Sequence, residues 1–158
     1  MKIKRIVLSV LLVVWMMVIF AFSNQPANIS EGTSDGLASN VIDTYANVTN
    51  KKITKDEKKS IIEDTRFLVR KTAHFTAYFI LNLIAYFTLK AYKVKRCIII
   101  SILFSFLFAC SDEIHQLFVI DRAGRVLDVL IDTSGAILSS LIIIGFKYIF
   151  TLKNKKIN

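Results

Sequence analysis

Residues 97–138 read CIIISILFSFLFACSDEIHQLFVIDRAGRVLDVLIDTSGAIL. The stretch begins with an apolar run that carries no charge until Asp112 and Glu113. A second apolar run follows a short polar turn and has Asp128 and Asp132 near its start. A mostly apolar run of about 20 residues is long enough to cross the hydrocarbon core of a bilayer as a helix. The pattern therefore predicts two membrane-spanning helices that place acidic side chains at the same end.

Two further apolar runs precede this stretch, and together the four indicate an integral membrane protein. The first run is free of charge and follows three basic residues, which is also the pattern of a cleaved signal peptide. This uncharged run of 17 residues is longer than most signal-peptide cores, so we interpret it as a span. The predicted spans are about residues 6–22, 73–89, 97–120 and 126–150, within a single domain of residues 1–158.

The 21 basic residues, which dominate a net charge of +9, indicate the orientation. Eleven of them flank the predicted spans on one side, whereas the only short loop on the other side carries two, Arg122 and Arg125. Basic residues in short loops favour the cytoplasm, so both termini are expected there, in a plasma-membrane protein. Because the charges flank spans and form no stripe, nucleic acid is not an expected partner. The eleven are Lys2, Lys4, Arg5, Lys90, Lys93, Lys95, Arg96, Lys147, Lys153, Lys155 and Lys156.

The loop of residues 23–72 is then extracytoplasmic, and apolar residues recur in it at helical spacing. We expect two amphipathic helices that lie on the outer membrane face or cap the bundle, the second running into the second span. Thr54 followed by Glu57 is typical of a helix start with a capping box. The fold class is thus an all-α membrane protein, a four-helix transmembrane bundle with an extracytoplasmic amphipathic helical loop. The positions at helical spacing are Leu37, Val41, Ile42, Tyr45 and Val48 in the first helix, and Ile61, Thr65, Leu68 and Thr72 in the second.

Polar residues inside the last three spans fall on one face of each predicted helix, at about 100° per residue. Ionisable groups at membrane depth are costly unless they are paired or hydrated, so the three faces should meet near the outer surface. The faces comprise Lys71, His74, Tyr78 and Asn82; Ser101, Ser105, Asp112, His115 and Gln116, with Glu113 at the margin; and Arg125, Asp128, Asp132, Gly135 and Ser139.

Three segments resemble the VanZ-like family of small bacterial integral membrane proteins: FSNQP (22–26), RKTAHFTAYFILNLIAY (70–86) and SDEIHQLFVIDRAGRVLDVLIDTSGAIL (111–138). That family takes its name from a factor associated with resistance to the glycopeptide antibiotic teicoplanin. The resemblance implies a role in the cell envelope and carries no specific biochemical activity. By motif position it implies a functional role for Lys71, His74, Tyr78, Asp112, Glu113, His115, Gln116, Arg122, Asp128 and Asp132.

Three interpretations of this polar cluster remain open at this point. It is an ion network that locks helices together, or a ligand site in which Arg122 and Arg125 engage phosphate or carboxylate, or an enzyme site. The ligand would be a lipid head group, a lipid-linked envelope precursor or the glycopeptide itself, at a polar site near the outer leaflet of the lipid bilayer. We favour binding without catalysis, and the sequence leaves the oligomeric state open.

The enzyme alternative is a hydrolase or transferase that acts on a lipid-linked substrate. Its acid–base candidates are His74, Asp112, Glu113, His115 and Asp132, and a metal held by His74 and His115 would be its cofactor. The chain has no HExxH, GxSxG or phosphate-binding glycine loop, so no cofactor is expected otherwise. Proton-coupled transport is a further alternative, which the lack of an inverted repeat makes less attractive.

Overall fold

The computed structural model describes residues 2–155, and that part of the chain is helical throughout except for its connections. Lys156, which the orientation argument counted, lies outside the described residues. The helices in residues 2–155 are α1 (Lys2–Ser23), α2 (Ala27–Thr49), α3 (Lys55–Ala91), α4 (Cys97–Gln116) and α5 (Val126–Lys155).

The helices α1, α3, α4 and α5 are each long and apolar enough to cross a membrane, which confirms the predicted four spans and the all-α class. The second loop helix and the second span form one continuous helix, α3, of 37 residues. At 1.5 Å per residue α3 is about 55 Å long, whereas the hydrocarbon core is only about 30 Å thick. The first half of α3 therefore extends beyond its apolar, membrane-spanning half.

The third span is shorter than predicted, because α4 ends at Gln116 and residues 117–120 belong to a turn. The backbone N–H groups of Leu117 and Phe118 donate to carbonyls only three residues back, which tightens and closes the helix. The chain then folds back so closely that a Cβ atom on Gly124 would lie 2.4 Å from the carbonyl oxygen of Glu113. Because residues around Gly124 pack against the last turn of α4, that helix must end before Ile120.

The third helix, α3, is the centre of the bundle and packs against all four other helices. Its closest neighbour is α5, because a Cβ atom on Gly135 would lie 2.3 Å from the backbone oxygen of Phe75. Small residues permit such close approach of membrane helices. The apolar core joins α3 to α1 and α4 and comprises Ile19, Tyr78, Leu81 and Ala109.

The second helix, α2, runs antiparallel to the first half of α3. Asp43 accepts from the Lys58 ammonium at 2.6 Å, and Asp35 accepts from the Arg66 guanidinium at 2.7 Å. Of the predicted apolar row on α2, Ile42 is buried against α3. The other four members are exposed: Leu37, Val41, Tyr45 and Val48.

The capping box at the start of α3 is present as predicted. The Thr54 hydroxyl accepts from the Glu57 N–H at 3.3 Å, and the Glu57 carboxylate accepts from the Thr54 N–H at 2.9 Å. We expect Thr54→Ala to cost about 1 kcal/mol locally, which speeds amide hydrogen exchange in the first turn of α3 about fivefold. Thr44→Ala in the middle of α2 is the matched control, because the Thr44 hydroxyl donates to the Asn40 oxygen of its own helix. Equal exchange rates in the first turn of α3 in both variants would contradict the prediction.

Candidate functional site

Three helices bring polar side chains together at the end of the bundle where α4 stops and α5 begins. On α3 and α5 these residues are three or four positions apart, which places them on one face because the helix has 3.6 residues per turn, and on α4 both acids are three or four positions from Gln116. Asp132 and Tyr78 are fully buried, and most of the others are nearly so. We call this cluster the polar site: Lys71, His74, Tyr78, Asp112, Glu113, Gln116, Arg122, Asp128 and Asp132.

An ion pair joins α3 to α5 at the rim of the polar site. The Lys71 ammonium donates to the Asp128 carboxylate, and both side chains are almost buried, with exposed fractions of 12% and 9%. The ammonium also lies 5.2 Å from the centroid of the Phe67 ring, a distance at which a cation is attracted to the ring face. Each charge is therefore compensated within the protein.

One turn further along the same two helices, a second pair is much looser. The His74 Nδ1 atom lies 3.6 Å from an Asp132 oxygen, too far for a hydrogen bond but close enough for attraction when the imidazole is protonated. Neither oxygen of Asp132 accepts a hydrogen bond from any residue that the structure describes. The most deeply buried carboxylate of the site is thus also the least satisfied one.

The two adjacent acids on α4 share one amide. The Gln116 Nε2 donates to Glu113 at 3.1 Å and to Asp112 at 3.4 Å. The second oxygen of Glu113 accepts from the backbone N–H of Arg125 at 2.8 Å, which satisfies a donor at the start of α5. Glu113 is therefore tied to the fold, whereas one oxygen of Asp112 has no partner among the described residues.

Arg122, in the turn between α4 and α5, links the polar site to the end of α1. Its guanidinium donates to the side-chain oxygen of Gln116 at 3.3 Å and to the backbone oxygens of Gln25 at 3.0 Å and Phe22 at 3.4 Å. Burial lowers the pKa of Arg122, and the positive charge of Arg70 lowers that pKa further. The backbone of residues 22–25 thus contributes hydrogen-bond acceptors to the site, which side-chain periodicity could not predict. These residues belong to the segment FSNQP (22–26), which resembles the family.

Two candidate residues lie apart from the polar site. His115 faces α1, where its ring lies 4.5 Å from that of Phe20 and its Nε2 is 3.2 Å from the Asn24 side-chain oxygen. The Arg125 side chain is exposed, and only its backbone contacts the site. The predicted common face therefore holds for Asp112 but not for His115, because the end of α1 covers that side of α4.

No three His, Cys, Asp or Glu side chains are grouped to hold a metal ion anywhere in residues 2–155. His74 contacts α5 and His115 contacts α1. Metal binding by this pair stays a prediction.

A crevice of about 360 Å³ between α1, α2 and α3 opens beside the polar site. Its polar end is formed by Arg70, His74 and Arg122, and Tyr78 forms part of the wall that it shares with the site. The remaining wall is largely apolar, and Trp15 forms part of it, held in place by a hydrogen bond of 3.0 Å from its indole N–H to the Ala77 oxygen. Three members of the polar site, His74, Tyr78 and Arg122, thus line a largely apolar crevice.

A sequence model of the VanZ/LLP1 family matches residues 8–150, which include most of α1, the other three candidate membrane-spanning helices and the whole polar site. Comparison with curated proteins and with solved structures gave no significant match. The family match covers nearly the whole chain, and with the four apolar helices it shows that this membrane protein belongs to the VanZ/LLP1 family.

Proposed function

We propose that this protein lies in the plasma membrane with both termini in the cytoplasm and binds a ligand of the cell envelope at the polar site. The basic residues that flank the spans support this orientation. In that orientation the polar site lies near the outer leaflet, where envelope precursors and antibiotics are encountered.

The observation that carries the proposal is the carboxylate of Asp132, which is fully buried and accepts no hydrogen bond within the described protein. A buried acceptor without a donor costs free energy, so a cluster that only held helices together would be expected to satisfy it. Small or apolar residues also pack membrane helices without this cost. Ionisable residues within the membrane are functional by default.

The unsatisfied atoms indicate what the ligand must offer. Asp132 and Asp112 have carboxylate oxygens free to accept hydrogen bonds, and Arg122, which donates to Gln116, offers a positive charge at the same site. A suitable ligand therefore combines hydroxyl, amide or ammonium donors with a phosphate or carboxylate group. Lipid-linked envelope precursors and glycopeptides both have this combination, so the proposed role includes an effect on teicoplanin susceptibility.

The test is Asp132→Asn, which keeps the size of the side chain and removes its charge. We expect abundance and thermal stability to stay unchanged. Ligand retention should fall at least about tenfold, because a charge-assisted hydrogen bond is lost, and tolerance of teicoplanin should be lost. Mass spectrometry of lipids and precursors that co-purify with each protein measures retention.

Asp121→Asn, in the exposed turn, is the matched control and should behave as the wild type. If Asp132→Asn only lowers abundance, with ligand and tolerance reduced in proportion, the cluster is structural and the proposal is wrong.

A second candidate function rests on the His74–Asp132 geometry, in which a carboxylate lies 3.6 Å from an imidazole. Such a pair can act as a general base towards a bound substrate. We propose hydrolysis or group transfer on a lipid-linked substrate as the alternative. A reaction product that co-purifies with the wild type, but not with His74→Gln, would favour catalysis over binding alone.

A further inference from the structure

The crevice between α1, α2 and α3 has two chemically distinct parts. Its wall comes mostly from apolar side chains of all three helices, and its polar end contains the guanidinium groups of Arg70 and Arg122, whose positive charges repel each other. The apolar wall residues include Trp15, Val18, Ile19, Leu37, Val69 and Ala77. An amphiphile with a long apolar chain and an anionic head matches this distribution.

The two arginines at the polar end differ in how well they are satisfied. Arg122 makes three hydrogen bonds to protein groups, whereas the buried Nε of Arg70 has no partner among the described residues. The two positive charges also repel each other, which contributes to the lowered pKa of Arg122. An anion bound between the two guanidinium groups would reduce this repulsion and accept a hydrogen bond from the unpaired Nε–H of Arg70.

We propose that the crevice binds an anionic phospholipid of the surrounding bilayer, with one acyl chain along the apolar wall and the phosphate between Arg70 and Arg122. A bilayer phospholipid is the occupant we commit to, because it combines phosphate with an acyl chain and surrounds the protein at high concentration. The proposal deepens the proposed function and rests on it, because the bound phosphate would lie beside His74, at the entrance to the polar site.

The chain contains a built-in reporter for this site. Trp15 is its single tryptophan and lines the crevice. Bromine on an acyl chain quenches indole fluorescence on contact, so the full-length protein can be placed in bilayers that contain brominated phosphatidylglycerol or brominated phosphatidylcholine. We expect half-maximal quenching at about tenfold lower mole fraction of phosphatidylglycerol, because both lipids carry a phosphate but the choline ammonium of phosphatidylcholine adds a positive charge beside the two guanidinium groups.

Arg70→Gln should remove the preference for phosphatidylglycerol, and Ala73→Phe, which fills the crevice, should lower quenching by both lipids. Arg125→Gln is the control, because its side chain is exposed and does not line the crevice. Equal quenching by the two lipids in the wild type would overturn the proposal. So would a wild-type preference that persists in Arg70→Gln.

Soluble glycerol phosphate and an unbrominated polyprenyl phosphate serve as competitors. Restored fluorescence with glycerol phosphate would show that the phosphate alone is bound, and restoration by trace polyprenyl phosphate would show a prenyl lipid as the occupant. Either result overturns the choice of a bilayer phospholipid.

Asp132→Asn separates this inference from the proposed function. It should retain the lipid preference, because Asp132 does not line the crevice. In the wild type, a lipid preference without any ligand retention would contradict only the proposed function. Ligand retention without a lipid preference would contradict only this inference.

Discussion

Lys71→Met should lower the free energy of unfolding by about 3–5 kcal/mol, the usual cost of leaving one member of a buried ion pair without its partner. The variant leaves the nearly buried carboxylate of Asp128 without the ammonium that now compensates it. The methionine keeps most of the apolar length of the lysine, so the loss reports charge rather than packing. Thermal unfolding in detergent and abundance in the membrane measure the effect.

Two comparisons make the Lys71 prediction specific. Lys58→Met breaks the more exposed pair with Asp43 and should cost only about 0–1 kcal/mol. Lys71→Met combined with Asp128→Leu removes both charges and should recover most of the lost stability. If Lys71→Met is no more destabilising than Lys58→Met, the ion pair does not hold α3 to α5.

Gly135→Ala should be the most damaging single-methyl addition in α5, at about 3 kcal/mol, the upper end of the usual cost of overpacking. The added Cβ would lie 2.3 Å from the backbone oxygen of Phe75. A backbone atom cannot rotate away as a side chain can, so α3 and α5 must separate. Thermal unfolding and membrane abundance test this prediction.

Gly145→Ala is the matched control on the same helix, because nothing lies within 4 Å of the position of its added Cβ. It should be neutral or slightly stabilising, since alanine favours a helix over glycine by about 1 kcal/mol. Gly135 lies one turn from Asp132, and Phe75 follows His74 in the chain. Gly135→Ala should therefore also reduce ligand retention by more than the loss of abundance explains. If Gly135→Ala is no more destabilising than Gly145→Ala, the close contact between α3 and α5 is contradicted.

The two acid–base pairs between α3 and α5 have different expected roles. Lys71 and Asp128 compensate each other fully, which is consistent with a structural contact. His74 and Asp132 are 3.6 Å apart, and the carboxylate has no hydrogen bond. The double variant at Lys71 and Asp128 should therefore keep ligand retention, whereas Asp132→Asn should lose it. The polar site would then combine a structural ion pair at its rim with a ligand-binding pair one helical turn further along α3 and α5.

Much of this architecture followed from local properties of the sequence. The four spans were predictable because the transfer of a segment into hydrocarbon depends mainly on its own length and composition. The capping box of Thr54 and Glu57 depends on atoms three residues apart. The burial of Tyr78, Asp112 and Asp132 followed from helical periodicity, since charged faces within a membrane must avoid lipid.

Other features depend on contacts between residues far apart in the chain, and only the tertiary structure decided them. Gly124 folds back onto the end of α4 and limits that helix to Gln116. The end of α1 covers His115, and Arg122 reaches the backbone of Gln25 across 97 positions of the chain. The crevice needs three helices at once. Periodicity places a side chain on a face of its own helix, but which neighbour covers that face depends on how all the helices pack together.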